Sequence, residues 1–225
     1  CGLMDQTACA VGGAVAIDFA DPSRPLIERM ECDFARAGFS LFITDTFAGH
    51  AGLTDEYAAI PREMLSVARA IGVEYLRDAD EDEFYRKLPS LRSRCGDRAC
   101  LRAMHFFDED RRAALEAAAL RRGDIAGFAA LMGESGDSSE LLLQNIFPSC
   151  DINERGVAMA LALSRRLLAG TGGAWRVHGG GFAGSIQALV PNERKTEYMR
   201  AMDAAMLKRG ACMEVHIRPR GAVAL

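Results

Sequence analysis

A chain of 225 residues, 49% hydrophobic and 26% charged, can bury a substantial core as one large unit or two small ones. Its formal net charge of −4 offers no broad basic field, which argues against a nucleic-acid partner. No stretch approaches the roughly 20 apolar residues of a membrane span, and the seven cysteines, odd in number and without a Cys-x-x-Cys pair, favour reduced thiols in a cytoplasmic protein.

The first residue is Cys1 and no signal-peptide pattern is present, so a chain cut from a longer one is expected. Residues 12–19 and 26–33 flank Asp21-Pro22-Ser23 and predict a β-hairpin. Residues 39–44, rich in aromatic and β-branched side chains, predict a third strand, followed by a glycine-containing loop over 45–53. At Thr54 the period becomes helical and runs to Ile71, with Thr54 as a capping candidate. Further helices are expected over 80–88, ended by Pro89, and over 97–121, with Gly123 as a stop. Others are expected over 124–134, 138–144 and 151–169. Residues 174–178 and 185–190 read as strands around a glycine loop, 193–208 as an amphipathic helix and 212–217 as a last strand. This closing order is part of a split β-α-β pattern, so the class is α+β, with the mid-chain helices as a layer of one compact unit.

Three segments carry candidate chemistry. In Cys1-Gly2-Leu3-Met4-Asp5-Gln6, Gly2 permits close approach of a ligand, and Asp5 near a helix start is stabilised as an anion able to accept or orient a hydroxyl proton. Taken alone, the segment reads more readily as a capping or surface aspartate. In the second, residues 45–57, a polar loop with a histidine leads into a helix whose first turn holds Tyr57. That tyrosine either meets a polar ligand or is half-buried core. The third is His178-Gly179-Gly180-Gly181-Phe182-Ala183-Gly184. Three consecutive glycines between strands exceed what a tight turn needs and can present amides to an anion, but no Gly-Lys-Ser/Thr follows.

In this order the segments resemble galactokinases of the GHMP superfamily. Gly2-Leu3-Met4-Asp5-Gln6 is similar to the family's Gly-Ile-Met-Asp-Gln, and Asp55-Glu56-Tyr57 to its Ser-Glu-Tyr. Arg102-Ala103-Met104-His105 with Glu109 is similar to its Arg-Ala-x-His-x-x-x-Glu helix. Trp175-Arg176-Val177-His178 and the glycines after it resemble the third GHMP motif. Departures are Ala183 for Gly, His178 for Thr, Gly136 where many members have His, and Phe47-Ala48-Gly49-His50.

The resemblance implies a GHMP kinase C-terminal domain of ferredoxin-like split β-α-β type over residues 51–225. Residues 1–50 would be a remnant of the N-terminal domain. It implies ATP-dependent phosphorylation of galactose or a related hexose at the anomeric hydroxyl, with Asp5 catalytic and Gly2, Asp5 and Tyr57 on the sugar. Gly179, Gly180, Gly181, Phe182 and Gly184 would support the site beside the phosphates. ATP and magnesium serve the complete enzyme, and the family's Gly-Leu-Ser-Ser-Ser loop and magnesium residues are absent from these 225 residues, so this chain alone is expected to be inactive. A non-catalytic galactose sensor and a GHMP kinase for N-acetylgalactosamine, another hexose or an isoprenoid alcohol are the alternatives. The oligomeric state stays open.

Overall fold

The computed structural model describes residues 3–49 and 52–223. Leu3–Val11 form helix α1. Ala14–Asp18 (β1) and Leu26–Met30 (β2) pair antiparallel from Ala14↔Met30 to Asp18↔Leu26. The Asp21 carboxylate makes the turn, accepting from the Ser23 amide at 2.9 Å and hydroxyl at 2.6 Å. Phe39–Asp45 (β3) alternates half-buried and buried positions, as a strand covered on one face should.

A run of helices follows. Thr54–Ile71 (α2) begins at the residue expected to cap it, and Gly72 ends it in the left-handed region at φ +108°. Glu81–Cys95 (α3) runs through Pro89, where the sequence suggested a stop. Phe84 and Leu91, both buried in one cluster on either side of the proline, hold the helix across it. Asp97–Arg121 (α4) has the expected bounds. Ile125–Ser138 (α5), capped by the Asp124 carboxylate on the Gly127 amide, outruns its expected end and passes into one wide turn over Ser139–Leu143. Gly156–Leu168 (α6) starts later than expected. Ala174–Val177 (β4), Ser185–Pro191 (β5), Lys195–Ala205 (α7) and Cys212–Val215 (β6) complete the chain.

The second sheet has the order β4-β5-β3-β6 with every pair antiparallel. With helices between β3 and β4 and α7 between β5 and β6, this is the split β-α-β arrangement the sequence pattern predicts. The sequence reading drew a domain boundary after residue 50, and the sheet corrects it. β3 pairs with β5 on one side and β6 on the other, so residues 39–45 form the interior of the sheet that residues 51–225 complete.

Alternation sorts the core into layers. Phe42, Val177, Ile186, Ala188 and Val190 face α6 and α7, packing with Val157, Ala160, Leu168, Tyr198 and Met202. Ala174 and Leu189 point the other way, onto Ile125, Ala129 and Met132 of α5 and Ala117 and Leu120 of α4, with Met30 of the hairpin joining them. A separate cluster of Val67, Phe84, Leu91, Cys100 and Phe107 binds α2, α3 and α4. The glycine loop between β4 and β5 therefore hangs from a strand covered on both faces, a rigid mount.

Candidate functional site

The loop over residues 178–184 closes where the His178 amide donates to Ser185 O at 3.0 Å. Each of its consecutive glycines answers a different demand. Gly179 has φ +68° with nothing near its missing side chain, so only the backbone conformation needs glycine. At Gly180 a Cβ would come within 2.9 Å of Tyr57 Cε1. Gly181 combines φ +78° with direct contact on Asn145. Phe182 follows at φ +61°, a costly conformation for a bulky residue, held by burial against Leu53 and Ala183. Among the described residues, the amides of Gly179, Gly180 and Gly181 donate no hydrogen bond.

Tyr57 reaches this loop directly. Its hydroxyl donates to Gly181 O at 2.9 Å, and its ring meets Phe182 edge-on, with centroids 5.4 Å apart at 83°. Burial raises its hydroxyl pKa, which keeps it a donor. The 45–53 loop closes the other side: the Thr46 amide and hydroxyl donate to Gly184 O at 2.8 and 2.6 Å. Two of the segments singled out in the sequence thus form one structure.

Two contributors had no role assigned from the sequence: Asn145, and Glu56 of the Asp55-Glu56-Tyr57 segment. Asn145, 2% exposed, donates from Nδ2 to Gly180 O at 3.1 Å, while its carbonyl accepts from the Phe182 amide. Its place after the wide turn 139–143, with Gln144 at φ +60°, has no pattern that marks it in advance. Glu56 is buried beside Tyr57, and its Oε1 accepts from the Ser149 amide at 2.6 Å, the Ser149 hydroxyl and the Cys150 amide at 3.2 Å. Burial pushes its carboxyl up, but these donors outweigh burial and the net pKa is lowered. Glu56 thereby ties the 146–151 segment to the start of α2.

The α4 residues Arg102, His105 and Glu109 lie at helical spacing and form the support beneath. Arg102, 1% exposed, donates to Glu63 Oε2 at 3.0 Å and to Leu143 O at 3.2 Å. His105 Nδ1 bonds the Ser138 hydroxyl at 2.9 Å, and burial lowers its pKa to about 4, so the ring is neutral. Glu109 accepts from the Ser135 hydroxyl and pairs with Arg112. Together they fix the end of α5 and the turn that carries Asn145. Gly136 sits on the opposite side of α5, where a Cβ would lie 2.7 Å from Trp175 O, so no side chain fits between helix and β4.

Asp5 stands apart. It is exposed on α1, a helix that packs on β1 and is bound at its end by the Ala222 amide donating to Ala10 O at 3.1 Å. No hydrogen bond or ion pair to Asp5 occurs among the described residues. Gly2 and His50 lie outside the described residues. No group of three or more His, Cys, Asp or Glu side chains converges among the described residues. No described helix is long and apolar enough to cross a membrane.

This architecture matches that of Leishmania major mevalonate kinase in complex with R-mevalonate at TM-score 0.56 and 12% identity, over 97% of this chain and 53% of that one. Lactococcus lactis galactokinase complexed with galactose superposes at TM-score 0.73 with 20% identity, over all of this chain and 56% of that one. No protein-family model matches. In sequence the chain is similar to galactokinases: 30% identical to that of Glaesserella parasuis serovar 5 over 208 residues, 91% of this chain and 50% of the relative. The human galactokinase is 33% identical over 203 residues, 89% of this chain and 47% of the relative. The chain spans about half the length of the curated relatives it matches.

Proposed function

We propose that this chain is the C-terminal half of a galactokinase, an enzyme that moves the γ-phosphoryl group of ATP to the anomeric hydroxyl of galactose. The observation that carries the reading is similarity to galactokinases sustained over about nine-tenths of the chain. The joining of Tyr57 to the glycine loop supports it, because two separate segments of the resemblance meet in one place.

Phosphoryl transfer relies mostly on positioning and on stabilising charge, with little covalent work left to the protein. Asp5 would accept or orient the proton of the attacking hydroxyl, a contribution typically worth about 10²–10⁴-fold. Its exposure here fits a carboxylate facing a cleft that the other half of the enzyme would close. The free amides of Gly179, Gly180 and Gly181 fit beside an anionic phosphate chain, and Tyr57 fixes their direction through Gly181. ATP supplies the transferable phosphoryl group and magnesium its charge neutralisation; no step is assigned to magnesium through residues of this chain.

The test is a substrate panel on the full-length protein with ATP and magnesium. Galactose should give a sugar 1-phosphate, with N-acetylgalactosamine and mevalonate at least tenfold slower. This chain of 225 residues alone should give none. Galactose binding without turnover would replace the kinase reading by a sensor, and preferential turnover of mevalonate would move it to another branch.

A further inference from the structure

Resting on the sugar-kinase reading, we propose that Asn145 is a positioning residue for the reaction: it clamps the glycine loop so that the amides of Gly179, Gly180 and Gly181 face outward together. The loop has carbonyls as well as amides, and a carbonyl turned toward an anion would repel it, so holding carbonyls elsewhere favours the donors. Gly180 O is held by Asn145 Nδ2 at 3.1 Å, and Gly181 O by the Tyr57 hydroxyl at 2.9 Å and the Ala183 amide at 2.7 Å. The Asn145 carbonyl also takes the Phe182 amide, which fixes the residue that leaves the loop at φ +61°. Gly181 lacks room for a Cβ against Asn145, so loop and clamp are fitted to each other.

The clamp carries a cost that packing alone does not explain. Asn145 Oδ1 is buried without a partner, and an apolar residue of similar size would avoid that loss. What asparagine adds at this position is its donor, the Nδ2 bond to Gly180 O. The donor is itself held in place: Arg102 bonds Leu143 O, His105 bonds Ser138, and Gln144 returns its amide to Ser139 O at 2.8 Å. A run of contacts therefore leads from the buried face of α4 to the loop.

Asn145→Asp keeps the shape and removes the donor, and Asn145→Leu removes the polarity. In the full-length protein each should lower kcat about a hundredfold, the scale of a misplacement of about 1 Å. Galactose should still bind at one site per chain, with its affinity within about threefold of wild type, which a partly unfolded protein would not give. In ¹⁵N NMR spectra the Gly179, Gly180 and Gly181 amides should move while the Trp175 indole resonance stays. Turnover within threefold of wild type in either folded variant, or unmoved glycine amides, overturns the proposal. Should neither variant fold, the wild-type protein decides: the Asn145 side-chain amide should be protected from hydrogen exchange, and exchange at the free rate overturns the clamp. A wild-type protein that phosphorylates no hexose refutes the sugar-kinase reading instead, and the exchange test still judges the clamp.

Discussion

Replacing each of the consecutive glycines by alanine separates backbone strain from close packing. Gly179→Ala adds only strain, because φ is +68° and the space is open, and left-handed backbone costs an L residue about 1–2 kcal/mol. Gly180→Ala adds only crowding, since its Cβ would lie 2.9 Å from Tyr57 Cε1. That ring cannot easily retreat, being held by Gly181 O and Phe182, so a cost of about 1–3 kcal/mol follows. Gly181→Ala suffers both, with φ +78° and Asn145 in the way, and should cost roughly 2–5 kcal/mol. Urea unfolding of the chain, followed by fluorescence of its single tryptophan, Trp175 on the neighbouring strand, gives the three values. Equal losses for Gly179→Ala and Gly181→Ala would refute the fitted contact between loop and Asn145.

Glu63→Ala removes the carboxylate from Arg102, which is 1% exposed, and should destabilise by roughly 3–5 kcal/mol in the same urea assay. Acid should weaken the fold through His105, whose folded pKa of about 4 lies below its unfolded value of 6.5. Between those values the unfolded state binds more protons, so the contribution is whole above about pH 6.5 and is lost progressively as pH falls toward 4. The loss approaches about 3 kcal/mol, and urea midpoints measured from pH 7 to 4 should fall less steeply for His105→Gln than for wild type.

Local chemistry made much of this fold legible. The turn at Asp21-Pro22-Ser23, the stop after Arg121 and the split β-α-β order follow from residues adjacent in sequence. Pro89 misled because a local rule was overridden by tertiary burial of Phe84 and Leu91. The boundary after residue 50 misled for a related reason: a strand reads the same whether its partners are near or about 150 residues away, as β5 is from β3. The triple glycine and Tyr57 were visible as candidates, yet not that they touch. Asn145 was invisible as a site residue, and Glu56 was visible only as part of the Asp55-Glu56-Tyr57 motif, since their importance lies in which amides and carbonyls the chain brings to them. The resemblance placed Arg102, His105 and Glu109 in one motif, and the structure supplies the reason, a row of bonds from α4 to the segment 135–143.

The most direct measurement is galactose phosphorylation by the full-length protein carrying Asp5→Asn, beside galactose binding by the same variant. The account predicts binding within a few-fold of wild type and turnover reduced at least about a hundredfold. Turnover close to wild type without that carboxylate would contradict it.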